Sequence, residues 1–429
     1  MGVHKFAIKT LKSDKKQSLF FICSIMLSVA VVFNIFNIIY NKNLMEFQKQ
    51  YFDIFNIIAL SIIIVTIFFI FFASSFFLLN KSKELGIAAL SGLSTFNLSS
   101  ILITQTLIIV AIAVALGLVV GFIISPMFLS AMFTAIGITG NLLEVSKEGM
   151  FLTIVFIIVL GMYVVLFNWG YVYRTELIDL VNAKKKVTEP DDRMVKIPKL
   201  TYLIVFLLPS IFLFIRIDEP EKAFLAFVVM LITTYGTQGT IRYLIPYKIL
   251  EYKKKYFFDD KLKIISLSNL YYSLRRAIPL VVILAIGSTL SISLIGSYYD
   301  VAAVKYICVF AYVLITILIS ISIIYKVMIE VYNNRRNSFL QLKMIGYNKD
   351  QIINIILQEI ILFNLVIIGA PLFHIIILLI TYVRVNIMTL GLALMLLGIF
   401  LGCYMISGII SYLGYKKIVI SYLYGGNDR

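Results

Sequence analysis

Charge is the scarcest property of this chain. Of 429 residues only 14% are Asp, Glu, Lys or Arg, while 61% are hydrophobic and the mean hydropathy is +0.98. That balance excludes a soluble globular domain, in which about a quarter of the residues are charged. Histidine is limited to His4 and His374, and cysteine to Cys23, Cys308 and Cys403. A metal centre needs several clustered His, Cys or carboxylate ligands, and a catalytic serine needs a base within hydrogen-bond reach. Too few such residues are present to assemble either. The cysteines lie far apart within apolar runs and read as packing residues, not as disulfide or metal partners. No G-x-x-x-x-G-K-[ST] phosphate loop occurs, so the chain has no phosphate-loop nucleotide site of its own.

Long apolar runs fill the space that charge leaves. Several exceed the roughly 20 residues needed to cross a bilayer as a helix, and they lack the alternation of a barrel strand, so helices must satisfy the backbone. The fold class is an all-α polytopic membrane protein with about ten spans: Leu19–Tyr40, Ile54–Leu79, Ile101–Phe128, Phe151–Tyr171, Leu200–Ile217, Ala223–Leu244, Ile278–Tyr298, Ile307–Tyr325, Ile352–Ile380 and Met388–Leu413. The fifth is short and carries Pro209 in mid-span.

With the N-terminus inside, the 38 basic residues fall in cytoplasmic segments except for Lys42, Lys49, Lys147, Arg216, Lys222, Lys305 and Arg384. This asymmetry predicts cytoplasmic N- and C-termini. It also accounts for the net charge of +16 through anionic inner-leaflet lipid, with no call for nucleic acid. The first span is too long for a signal h-region and no small-residue cleavage site follows it, so the N-terminus is expected to stay on the chain.

Shifting the sequence by 254 positions lays Lys81–Ser94, KSKELGIAALSGLS, on Arg335–Asn348, RRNSFLQLKMIGYN, with Gly92 on Gly346, Leu85 on Phe339 and Gln105 on Glu359. At a slightly different offset Ala7–Lys16 falls on Leu270–Ala277. The chain reads as two copies of a four-helix unit with the same topology: an amphipathic N-terminal segment over 1–18, a first unit over 19–171, a linker with two spans over 172–247, a cytoplasmic segment with a second entry helix over 248–277, a second unit over 278–413 and a tail over 414–429. In Lys81–Ser94 apolar residues recur at helical spacing and Gly92 supplies a C-terminal stop, which predicts a helix of about two turns at the cytoplasmic surface. Arg335–Asn348 repeats the pattern with Phe339, Leu342, Ile345 and Gly346. One such segment is an ordinary interfacial helix. Two at matching places point to a repeated docking element for a cytoplasmic partner.

KELGIAALSGLS closely resembles the (R/K)-E-(I/L)-G-(I/L)-x-x-A-x-G segment of FtsX-like ABC transporter permeases, the MacB/BceB group. The second copy, NSFLQLKMIGYN, keeps Leu342, Gly346 and the polar residue after the turn but lacks the Glu-Leu-Gly core. In layout the chain is closest to BceB-type ten-helix permeases, without the large extracellular domain those carry between spans seven and eight. The resemblance implies a bacterial cytoplasmic-membrane subunit that works with two copies of a separate ABC ATPase, ATP and Mg being bound there and no cofactor on this chain. It assigns ATPase coupling to Lys83, Glu84, Leu85, Gly86, Ala89, Leu90 and Gly92, and to Phe339, Leu342, Lys343, Ile345 and Gly346. It implies movement of an amphiphile, most plausibly an antimicrobial peptide or bacteriocin in resistance, immunity or export. The alternatives are a lipid or lipoprotein transporter, and a mechanotransmission subunit that moves no cargo and signals to an enzyme or a histidine kinase.

Ionisable groups inside a span are costly and therefore functional candidates. Lys326 lies near a span end and is expected to snorkel. Gln105 and Glu359, matched by the repeat, are candidates for either an interhelical hydrogen bond or conformational coupling. His374, three residues after Pro371, is a candidate polar element of a pathway, but one hydrogen bond to a neighbouring helix satisfies a neutral imidazole, and the structural reading is favoured. The loop Ser130–Gly149 is too small to fold alone; any cargo would meet the helices and short loops.

Overall fold

The computed structural model describes residues 3–13, 15–44, 52–174, 198–216, 223–257, 260–331 and 335–424. Among them all regular structure is helical. The helices are α1 (Val3–Ser13), α2 (Lys15–Ile39), α3 (Phe52–Leu90), α4 (Thr95–Ile136), α5 (Lys147–Arg174), α6 (Lys199–Arg216), α7 (Ala223–Gly239), α8 (Ile245–Tyr256), α9 (Lys261–Ser297), α10 (Ala302–Glu330), α11 (Arg336–Met344), α12 (Lys349–Arg384) and α13 (Leu390–Tyr424). A 3₁₀ turn covers Lys42–Leu44, and a π-helical turn, Thr240–Leu244, joins α7 to α8.

Among the described residues, eight helices are long and apolar enough to cross a membrane: α2 to α5, α9, α10, α12 and α13. The other two expected spans, five and six, are the helices α6 and α7, with 18 and 17 residues. At 1.5 Å per residue α6 rises about 27 Å, just short of a hydrocarbon core of about 30 Å. Pro209 lies inside α6, and α7 widens into its π turn instead of stopping. The connection between α9 and α10 is residues 298–301.

The chain divides into two compact units, residues 1–189 with 302–307, and residues 190–301 with 308–429. In the first, α2 packs most closely on α4. Close approach is set by small residues, as expected between helices in lipid: a Cβ on Gly117 would lie 2.8 Å from the Met26 carbonyl oxygen. Buried amides fasten the same seam. Asn34 Nδ2 donates to the Gly121 carbonyl at 3.1 Å, and Asn37 Nδ2 to Ser125 Oγ at 2.8 Å. Asn168 of α5 donates to Thr106 of α4 at 2.7 Å and accepts from Ser74 of α3 at 3.0 Å. In the second unit α9 lies between α12 and α7, and α6 pairs with α7.

Candidate coupling site

The segment Lys81–Leu90 is not a separate short helix. It is the last part of α3, which runs unbroken for 39 residues. Lys81 starts a polar stretch, but polarity alone does not end a helix; proline or a glycine in the left-handed region is a stronger stop. Gly86, buried within α3, costs about 1 kcal/mol against alanine without breaking it. The stop comes at Gly92, with φ +88°. Leu93 N–H donates to the Ala88 carbonyl at 3.2 Å and Gly92 N–H to the Ala89 carbonyl at 3.0 Å, the bonding of a Schellman cap. Ser94 Oγ then accepts from Asn97 N–H at 3.3 Å and opens α4.

The second copy ends in the same way at the same register. Gly346 has φ +102°; Tyr347 N–H donates to the Leu342 carbonyl at 3.1 Å and Gly346 N–H to the Lys343 carbonyl at 3.0 Å. Asn348, in the place of Ser94, caps α12 through a reciprocal pair with Gln351. Each bond of the first tip therefore has its counterpart 254 positions on. The cap follows α11, nine residues long; residues 332–334 before it lie outside the described ones, and Val331 and Arg335 on either side of them are both in right-handed helical conformation.

Side chains at the tips sort into two faces. Leu85 and Phe339, equivalent by register, are 4% and 1% exposed; they anchor the tips to the protein and present nothing to a partner. Phe339 packs edge-on against Tyr415 of α13, with centroids 6.0 Å apart. The outward face is apolar: Ile87 and Leu90 are 56% and 66% exposed, and Met344 and Ile345 are each 75% exposed. Gly92 and Gly346 are exposed, and Ala89, Leu342 and Lys343 are half-buried. Glu84 pairs at 2.9 Å with the buried Lys81. The Lys83 side chain lies outside the described ones. Lys343 Nζ donates to the Leu423 carbonyl at 2.6 Å, because α13 continues past Leu413 as helix to Tyr424 and forms a bed for α11. The apolar run stops near Lys416, but the helix does not.

A cluster of four buried charges lies at the root of α11. Arg335, 7% exposed, donates to the Asn269 side-chain and backbone oxygens of α9 at 2.7 and 2.6 Å, to Glu330 of α10 at 3.3 Å and to Glu359 of α12 at 3.2 Å. Glu359 also accepts from Asn269 Nδ2 at 2.9 Å and from the Tyr415 hydroxyl of α13 at 3.1 Å. Lys326 does not snorkel: it is fully buried, paired with Glu330 at 2.6 Å, donates to Ser273 Oγ at 2.5 Å and sits 3.9 Å over the Phe363 ring. Its position near a span end suggested water, but the i,i+4 carboxylate of Glu330 holds it inside. Two cations and two anions leave the cluster neutral. Burial works against the charge of Arg335, yet the Glu359 and Glu330 carboxylates outweigh it and raise the guanidinium pKa, so Arg335 stays charged. A cavity of about 10 Å³ lies among Ser273, Glu330, Arg335, Glu359 and Tyr415.

The first unit has a neutral version of this joint. Gln105 Nε2 donates to the Ala7 carbonyl at 3.1 Å and Thr10 Oγ1 at 2.7 Å, tying α4 to α1. Sequence reasoning paired Gln105 with Glu359 but missed Arg335, Glu330, Asn269 and Tyr415. One signal was present: Lys326 and Glu330 at i,i+4 inside an apolar run. His374, the remaining intramembrane candidate, lies elsewhere in the second unit, between Ser210 of α6 at 2.8 Å and Thr237 of α7 at 3.2 Å. Both ring nitrogens have partners, as a structural imidazole requires.

Residues 56–175, which include most of α3, the Gly92 tip, α4 and α5, match the family described as FtsX-like permease C-terminal. The chain is 21% identical over 207 residues to the bacitracin export permease protein BceB of Bacillus subtilis (strain 168), covering 48% of this chain and 32% of that protein. It is 27% identical over 221 residues to YvcS of the same strain, named as an uncharacterized ABC transporter permease, covering 50% and 33%. Against BceB of Halalkalibacterium halodurans it is 22% identical over 323 residues, covering 70% and 49%. The chain thus spans between a third and a half of the length of these curated relatives.

Proposed function

We propose that this chain, an FtsX-like ABC transporter permease, receives the stroke of two copies of a separate ATPase at its Gly92 and Gly346 tips. The carrying observation is the pair of tips itself: the same cap bonds at the same register, with exposed apolar side chains just before each cap glycine, Leu90 in the first and Met344 and Ile345 in the second. A membrane protein that keeps apolar side chains on a water-facing turn keeps them for a partner. Positive-inside asymmetry faces both tips, and both termini, to the bacterial cytoplasm. ATP and Mg belong to the partner, and the permease supplies motion through α3 and α11.

The cargo in this reading is an amphiphile, and an antimicrobial peptide is the most plausible one. Two open apolar grooves between α12 and α13 support it, about 500 Å³ near Asn364 and Tyr412, and about 330 Å³ ending at Arg384. So do the names of two relatives, both bacitracin export permeases.

Co-expression with the ATPase tests the proposal. Leu90→Asp and Ile345→Asp, both on exposed positions, should each leave a folded chain that co-purifies with less ATPase, and together they should abolish the complex and its stimulated ATP hydrolysis. A double variant that still binds and stimulates would overturn the reading.

A further inference from the structure

The larger of the two grooves between α12 and α13 is apolar along most of its length, with Ile361, Ile368, Leu401 and Met405 in its walls. Two features interrupt it. Asn364 stands in the wall with its Nδ2 over Gly408, 2.8 Å from the point a Cβ there would occupy, and its buried Oδ1 has no hydrogen-bond partner among the described residues. An amide inside a membrane needs partners, and here the protein leaves it short of one. At the groove's end, Lys416 Nζ lies 6.0 Å from the ring centre of the wall residue Tyr412. Lys416 continues the lining stripe of α13 one turn past Tyr412, and the exposed Lys417 follows it. From Leu390 to Tyr424 the helix α13 carries these two lysines and no acid.

Spacing turns these features into a chemical requirement. Helical side chains lean toward the N-terminus of their helix, which brings the Lys416 ammonium back to the level of Tyr412. Gly408, and Asn364 over it, lie four residues farther along α13, about 6 Å deeper in the membrane. An occupant of this groove needs an anionic group at Lys416, a hydrogen-bond acceptor one turn deeper, and hydrocarbon beyond. A phospholipid has phosphate, glycerol ester carbonyl and acyl chain in that order. We propose that the groove holds one anionic phospholipid, with its phosphate at Lys416, an ester carbonyl accepting from Asn364 Nδ2, and an acyl chain along Ile361, Ile368 and Leu401. Basic pockets between membrane helices on the cytoplasmic side recognise acidic lipid headgroups, and the same two lysines repel a cationic amphiphile. The groove ending at Arg384 is then left for cargo. The site stands apart from the ATPase reading above; it takes from that reading only the orientation, which makes the lipid one of the inner leaflet.

Trp169, on α5, is the chain's one tryptophan, which makes fluorescence quenching a local test. The full chain carrying Trp169→Phe and Leu365→Trp, at an exposed α12 position beside Asn364, is reconstituted in phosphatidylcholine vesicles. These contain brominated phosphatidylglycerol or, at the same mole fraction, brominated phosphatidylcholine. The unsubstituted chain, reporting from Trp169, measures the general attraction of a basic protein for acidic lipid. Beside Asn364 the preference for phosphatidylglycerol should exceed that at Trp169 about fivefold. Lys416→Gln, or Lys416→Met where the glutamine variant does not fold, should bring it down to the Trp169 level. Asn364→Leu should weaken quenching by both lipids alike, since both carry ester carbonyls. Equal preference at the two reporters, or an excess that survives the loss of Lys416, overturns the site. The leaflet is tested separately: Lys417→Cys, in a chain without its native cysteines, should resist a membrane-impermeant maleimide in intact cells. Labelling there would overturn the orientation and the inner-leaflet assignment, while quenching still decides whether the groove holds the lipid.

Discussion

The first half of the molecule carries its tip at the end of the 39-residue α3, and the second carries it at the end of α11, beside a cluster of buried charges around Arg335. Both finish in the same left-handed glycine and the same pair of cap bonds. The contrast teaches that a repeat can hold its contact geometry constant while the side chains behind it diverge. Near their tips the joints also differ in chemistry, with Gln105 tying two helices through a neutral amide and Glu359 tying four through ions. A buried ion loses several kcal/mol if its partner is removed, while a neutral hydrogen bond loses far less. The second joint is therefore the more easily disabled.

That asymmetry gives the largest expected effect. Glu359→Leu, which leaves Arg335 and Lys326 facing a single carboxylate, should lower unfolding stability in detergent by about 3–5 kcal/mol. Gln105→Leu at the matched position should cost only about 1–2 kcal/mol. Denaturant titration of the two variants checks the pair, and equal losses would remove the distinction between the joints. A smaller effect is expected on the first half alone. Gly117→Ala places a methyl against the Met26 backbone oxygen and should cost about 1–3 kcal/mol, whereas Gly398→Ala on α13, with open space around it, should be silent; thermal inactivation of both variants makes the comparison.

The smallest effect is one of pH and concerns how helices begin. The Asp260 carboxylate accepts from the Leu262 and Lys263 backbone N–H groups, each at 3.2 Å, and the Lys263 N–H holds its pKa below the ordinary carboxylate range. A depressed folded-state pKa contributes stability that is present above the unfolded value of about 4 and is lost as pH falls through the folded value. Hydrogen-exchange protection of the first turn of α9 should fall with acid and become flat in Asp260→Asn. The α4 and α12 starts, capped by neutral Ser94 and Asn348, should not respond.

Much of this layout was legible in the sequence because its signals are local. Apolar run length marks the spans, and a glycine forced into positive φ marks each tip, so Gly92 on Gly346 fixed the register of the repeat. The remainder depends on contacts that no window contains. Lys81 and Lys416 look like boundaries because the apolar runs stop there, yet α3 continues to its Gly92 cap and α13 continues along α11. Lys326 reads as a snorkelling side chain until Glu330 and Ser273 are seen around it. Leu85 and Phe339 belong to the recognisable motif, but their burial shows that the motif's apolar positions serve the fold while Leu90 and Ile345 are left for a partner.

The central claim, that the two tips are equivalent docking points, is tested most directly by single cysteines at Leu90 and Ile345 in a chain without its native cysteines, cross-linked to the ATPase in the assembled complex. The account predicts cross-links at both positions, two ATPases per permease and none from Leu85 or Phe339. A stable complex that cross-links at neither tip would contradict it.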